Sequence, residues 1–158
     1  MGRPHARTLD RTLRRLRREG VTAVVSTLTE TEARGYHLLD EWRACKEAGV
    51  EFFWLPVVEF DVPDDDDARE LVPRVAERIE RGGHVVVHCR LGLGRSPMIA
   101  SALLIELGFG VTDAMWAVST GRGRPVPTRP AQRAWLRRWA THGGVTRDPA
   151  RAEAEQVD

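Results

Sequence analysis

The chain has 158 residues, 42% hydrophobic and 30% charged, a length and composition suited to one globular domain with its own core. Its 24 basic and 23 acidic residues leave a formal net charge of +1, so no global field favours nucleic acid or a membrane surface. No apolar run approaches the roughly 20 residues that span a bilayer, and the N-terminus has no secretory apolar core, which reads as a cytoplasmic protein.

The pattern predicts a first helix over 8–19. Leu9, Leu13 and Leu16 share one face, and Arg11, Arg14, Arg15, Arg17 and Arg18 surround it. Gly20 stops it, and the β-branched run that follows predicts a strand over 21–28. Thr29 to Thr31 cap a single predicted helix reaching Ala48, with Gly49 as its stop. A second strand is predicted over 50–55, then a loop to residue 64. The aspartates from Asp64 to Asp67 suit the N-terminus of a helix running to Arg81, where the helix dipole favours negative charge. Pro73 is expected to kink that helix or delay its start.

Residues 84–88 form a third predicted strand, with Val85, Val86 and Val87 apolar enough for burial on both faces. Helices are then expected over 96–107, 112–120 and 131–141, the last carrying Trp135, Leu136 and Trp139 as packing residues. Residues 142–158 read as a polar, frayed tail. The alternation implies a single α/β domain over 7–141, with a central, mostly parallel sheet flanked by helices.

The chemistry concentrates between Val85 and Ser96, where a buried strand feeds a short loop and the loop feeds a helix. The amides of Arg90, Leu91, Gly92, Leu93, Gly94 and Arg95 are placed to form an anion-binding nest at the helix N-terminus. Cys89 stands where the strand ends, and a helix N-terminus with a nearby cation brings a thiol toward the thiolate. Arg95 offers a planar fork that matches two phosphate oxygens. The Ser96 hydroxyl can donate to the sulfur when thiolate leaves, and His88 can fix the loop through hydrogen bonds to backbone. Among these residues the reading requires no cofactor and no metal, because no His, Asp or Cys cluster has metal-ligand spacing.

The run His88-Cys89-x5-Arg95-Ser96 resembles the protein tyrosine phosphatase superfamily, whose signature is H-C-x5-R-S/T. The resemblance extends from Arg7 to Trp139 and is closest to compact dual-specificity-type enzymes, including atypical bacterial ones. It implies a cysteine-dependent phosphatase that forms a cysteinyl-phosphate and acts on phosphorylated protein. It also implies a glutamine that orients water, here Gln132, and a general acid on a mobile loop. Laid over the family's W-P-D-F-G-V-P, the segment 57–63 matches at Phe60, Val62 and Pro63, which sets Glu59 at the acid position and Asp61 at the glycine; Glu59 is the favoured acid and Asp61 the alternative. The family's usual first strands are not evident, so the chain starts late or its start codon lies upstream.

Other readings stand beside these. A phosphate-binding module with little turnover would explain the altered acid position. A sulfurtransferase or arsenate reductase uses a related loop, but the rhodanese-type loop is shorter between Cys and Arg. RNA 5′-phosphates and phosphoinositides are alternative substrates. Nucleic acid is not the expected partner, although the arginines of the first helix are either a solvated face or an RNA or phospholipid contact. Cys45 reads as an inert helix residue, with a resolving partner for oxidised Cys89 as the alternative. Arg122, Arg124 and Arg129 fall in a loop that either rims the site or simply carries exposed charge. The oligomeric state has no signature in the sequence.

Overall fold

The computed structural model describes residues 1–142. The expected tail beyond them lies outside the described residues.

After a 3-10 turn at Ala6–Thr8, the chain forms α1 (Leu9–Arg18) and β1 (Val21–Ser26). Two short helices follow, α2 (Glu30–Gly35) and α3 (Glu41–Glu47), then β2 (Glu51–Trp54). The second half runs α4 (Asp65–Glu80), β3 (His84–His88), α5 (Arg95–Glu106), α6 (Val111–Arg122) and α7 (Pro130–His142). The strands form one parallel sheet in the order β2-β1-β3.

Parallel strands require crossovers, and the crossovers cover both faces of the sheet with helices. Successive side chains of β1 alternate between the two layers. Ala23 and Val25 pack with residues of α4, α5 and α7, including Val72, Ile99 and Trp135. Val24 faces the other way, onto Leu9, Leu13 and Leu16 of α1 and Cys45 of α3. Trp135 and Trp139 are buried in the first layer, their rings stacked 5.0 Å apart.

Three sequence expectations change. The single helix over 29–48 is two helices. His37, with φ 56°, sits in the left-handed region, the Leu38 N–H donates to the Ala33 carbonyl at 2.8 Å, and the His37 N–H donates to the Arg34 carbonyl at 3.1 Å. That pairing ends α2, with Leu38 and Ala33 buried together in the second layer. Pro73 lies inside a continuous α4. It is exposed, so the carbonyl left without its N–H faces water. Finally, β3 is an edge strand of the sheet, and only Val87 and His88 of it are fully buried.

Residues 1–3 run beside the end of β3. Gly2 bridges Cys89 in parallel, the Cys89 N–H donates to the Met1 carbonyl at 3.2 Å, and the Arg3 N–H donates to the Arg90 carbonyl at 3.3 Å. No described helix is long and apolar enough to cross a membrane.

Candidate active site

The C-terminal ends of β1 and β3, with the loop after β2, enclose one corner of the sheet, where open parallel sheets offer a ligand crevice. Thr27 ties the strand ends together. Its amide donates to the His88 carbonyl at 3.0 Å and its hydroxyl to the same oxygen at 3.1 Å. From that corner the loop 89–94 turns into α5.

Geometry dictates one glycine of the loop and crowds a second. Gly92 has φ +75°, and a Cβ there would lie 2.7 Å from the backbone of Met1 and Gly2. A Cβ on Gly94 would lie 2.9 Å from Oε1 of Gln132.

The Cys89 sulfur is nearly inaccessible and accepts from the Gly92 N–H at 3.1 Å and from the Ser96 hydroxyl at 3.3 Å. Burial pushes the thiol up, but the Ser96 hydroxyl and amide, the Gly92 amide and the Arg95 charge outweigh it and hold Cys89 below the ordinary cysteine range. Ser96 has one hydroxyl proton, and the Met1 carbonyl at 3.1 Å is its alternative acceptor.

Arg95 is 3% exposed. Its Nη1 donates to Oε2 of Glu32 at 2.6 Å and to the Val57 carbonyl at 2.7 Å, and its Nη2 donates to Oε1 of Glu32 at 2.8 Å. Glu32 therefore holds the guanidinium end-on. Among the described residues, the Arg95 bonds to Glu32, Val57 and Thr27 leave out the side-on edge formed by Nε and the second Nη2 proton, and Arg95 lines the cavity beside Cys89. Burial opposes the charge of both groups. Their mutual bonds overcome it, raising Arg95 and lowering Glu32 from their usual values, with the Thr29 backbone also bonding Glu32.

Glu32 escaped the sequence reading as a site residue. It closes a capping box with Thr29, and that pattern at the start of α2 was the signal available.

The cavity over Cys89 measures about 170 Å³, with Glu59, Phe60, Arg90, Leu91, Arg129 and Gln132 among its lining. Glu59 reaches it, with Oε2 3.1 Å from Nη1 of Arg90. Asp61 does not line it. Its Oδ1 accepts from the Val62 N–H at 2.9 Å, out in solvent. Phe60 between them has φ 72°, a strained conformation for a side chain with a Cβ, and the Arg129 guanidinium lies 4.0 Å over its ring. Gln132 is buried. Its Nε2 donates to the Asp61 carbonyl at 3.0 Å, and its Oε1 has no hydrogen-bond partner. Arg129 thus rims the site, while Arg122 and Arg124 do not line it.

The role expected of His88 is corrected. Neither ring nitrogen bonds to backbone. The ring instead faces the buried Glu41 at the start of α3, Nε2 to Oε1 3.1 Å, outside hydrogen-bond geometry. Glu41, not a backbone carbonyl, is what the buried imidazole meets. Cys45 is buried in the second layer, where burial and the Glu41 charge push its thiol up to about 12.

A family described as "Tc-R-P: Polymorphic toxin system, DSP-PTPase phosphatase" matches residues 1–109. Among solved structures, the chain is similar to Tk-PTP in its active form, with 27% identity over 89% of each chain and a TM-score of 0.73. It is also similar to PTPMT1 in complex with PI(5)P, with 25% identity, 96% of this chain and 91% of that one covered, and a TM-score of 0.73. Kinase associated phosphatase with its catalytic-site cysteine changed to serine shares the fold at 18% identity, over 84% of this chain and 75% of that one, with a TM-score of 0.73.

Proposed function

The chain belongs to the Tc-R-P family of polymorphic toxin system DSP-PTPase phosphatases and is a cysteine-dependent phosphatase; from that premise we propose that it hydrolyses phosphomonoesters of proteins through a cysteinyl-phosphate on Cys89. The observation that carries this reading is the pairing of a thiol held toward thiolate with the free side-on edge of Arg95 across one small cavity. The phosphate sits in the nest of loop amides, two of its oxygens on Nε and Nη2 of Arg95. The Cys89 sulfur attacks phosphorus in line, the S–P bond forms as the P–O ester bond breaks, and Glu59 gives its proton to the departing oxygen. Water then attacks the phospho-cysteine. Glu59 takes one water proton, Oε1 of Gln132 orients the molecule, and the Ser96 hydroxyl donates to the leaving sulfur.

Glu59 rather than Asp61 fits the acid role because Glu59 lines the cavity. The pair with Arg90 opens when substrate draws Arg90 onto its phosphate or a neighbouring anion. At about 170 Å³ the cavity is smaller than the usual range for small-molecule sites, so it admits the phosphoryl group and little of what carries it. Exposed Phe60 and Leu91 flank the mouth. That suits phosphotyrosine, with phosphoserine and phosphothreonine in reach. A phosphoinositide is the second reading, favoured by Arg90 and Arg129 at the mouth and by the likeness to PTPMT1 with PI(5)P.

A panel of phosphotyrosine, phosphoserine and phosphoinositide substrates tests the reading, with Cys89→Ser alongside. Phosphopeptide turnover that Cys89→Ser abolishes, while vanadate still binds the variant, is the expected result. Turnover retained by Cys89→Ser overturns the mechanism, and selective phosphoinositide hydrolysis overturns the protein substrate.

A further inference from the structure

The amphipathic pattern of α1 buries Leu9, Leu13 and Leu16 against the sheet and turns its arginines outward. Those arginines are solvent-exposed, and together they border a shallow hollow. Arg7, Arg11, Arg14, Arg17 and Arg18 line a concavity of about 810 Å³ that also takes in Ala48 beyond α3, and Asp10 is the only carboxylate in its lining. None of the five has an ion-pair partner among the described residues; on α1 only Arg15 is paired, with Glu19. Five cations with one carboxylate in a concave site raise a strong local positive potential, although the whole chain carries only +1.

The spacing orders them. Arg11, Arg14 and Arg18 follow each other along α1 at steps of three and four, which stacks them on one side of the helix, and Arg7 stands in the 3-10 turn just before it. The three on α1 span roughly 10 Å at 1.5 Å per residue. A base-stacked strand advancing about 3.4 Å per charge would place roughly three phosphates along them, with Arg7 extending the row by one more.

A second concavity, of about 430 Å³, continues the first at Ala6, Arg7 and Thr8. It is lined by planar groups: Tyr36, His5, His37 and Arg3, whose guanidinium lies 4.0 Å over the Tyr36 ring. Aromatic and guanidinium planes are stacking surfaces for unpaired bases.

We propose that this two-part groove binds a single strand of nucleic acid, with phosphodiesters on the α1 arginine row and a base against the Tyr36–Arg3 end. Three features favour that occupant. The guanidinium matches a phosphate's oxygens two at a time. An extended acidic peptide alternates its side chains, so it would present only every second carboxylate to the row. A lipid surface could not take up the apolar face of α1, which is in the core, and would be left with headgroup attraction alone. The groove is separate from the cavity over Cys89, so binding does not depend on turnover there.

The test is fluorescence polarisation of the full chain with a 3′-labelled, 5′-hydroxyl single-stranded RNA of twelve nucleotides, over a salt series. The oligonucleotide carries no phosphomonoester for Cys89. We expect binding whose logarithmic salt slope is about −2 to −3, as four or so neutralised phosphates give at roughly −0.7 each. Arg11→Gln/Arg14→Gln/Arg18→Gln should weaken binding at least tenfold and flatten the slope, with p-nitrophenyl phosphate hydrolysis unchanged. These positions are exposed and glutamine is a good helix former, so the fold is retained. Tyr36→Ala should weaken binding at high salt, where stacking persists. The proposal is overturned if the triple variant binds as tightly as the native chain, if no salt-dependent binding occurs, or if polyglutamate or phosphatidylserine vesicles bind more tightly than the RNA.

Discussion

Glu32 receives both Nη groups of Arg95 end-on, at 2.6 and 2.8 Å, and so leaves the Nε–Nη2 edge of the guanidinium for the cavity over Cys89. An arginine so held needs no reorganisation when phosphate arrives. Glu32→Gln is the discriminating change, because glutamine still closes the capping box with Thr29 but no longer carries the charge. It should lower kcat/KM by roughly 10- to 100-fold, the ~1.5–3 kcal/mol of a charged hydrogen bond, and raise the inhibition constant of vanadate. The melting temperature should fall as well, because the buried Arg95 loses its counter-charge. Native kcat/KM and vanadate inhibition in the variant would show that Glu32 does not position Arg95.

Lysine in place of Arg95 keeps a positive charge and loses the planar edge. Arg95→Lys is therefore expected to be nearly as damaging as Arg95→Ala, about 10²–10³-fold in kcat, as for loss of a transition-state donor. Steady-state kinetics on p-nitrophenyl phosphate decide it, and a near-native lysine variant refutes the two-point grip.

The loop acid separates by leaving group. Glu59→Gln should lower kcat on a phosphoserine peptide by roughly 10²–10⁴-fold and much less on p-nitrophenyl phosphate, whose phenolate departs with little help. Asp61→Asn should do little, since its carboxylate accepts from its own neighbour's amide in solvent. The reverse order would assign the acid to Asp61. If neither change matters on the phosphoserine peptide, the protein works without a loop acid.

Ser96 is the largest single influence lowering the Cys89 thiol. Removing its hydroxyl in Ser96→Ala leaves burial less opposed, so the thiol should ionise at higher pH. The rate of iodoacetamide alkylation, followed against pH, should shift its rise to higher pH in the variant. An unchanged profile would mean that the Ser96 and Gly92 amides and Arg95 hold the thiolate without the hydroxyl.

Glu106, 8% exposed near Trp139, has its carboxyl raised above the usual carboxylate range by burial. An acid raised on folding supports stability below its unfolded value, and that support is lost as pH rises through the folded value. Melting temperature should therefore fall over that window, and Glu106→Gln should remove the fall. At neutral pH the variant should be the more stable, each ~1 kcal/mol appearing as roughly 2–4 °C at this chain length. A variant that melts lower than the native chain at pH 7 contradicts this.

The strand, loop and helix from His84 to Glu106 were legible because they are contiguous. Val-rich pairing, two glycines and a helix N-terminus are local features, and together they put Cys89, Ser96 and Arg95 around one nest whatever the rest of the chain does. The parallel sheet followed from the alternation of elements. Other features depend on contacts between distant segments. Glu32 lies 63 residues from Arg95, and only the side-by-side ends of β1 and β3 bring its carboxylate to the guanidinium. The break between α2 and α3 rests on a left-handed His37, a residue that carries no mark of that conformation as glycine would. The facing of His88 and Glu41, 47 residues apart, arises only when α3 and the end of β3 are brought together. Glu59 and Asp61 are two residues apart and alike in chemistry, and which of them lines the cavity was decided by the backbone at Phe60. So the amino-acid order determined the chemistry of the cradle through neighbours along the chain. The tertiary structure decided what holds and surrounds it, because those partners meet only when the sheet closes.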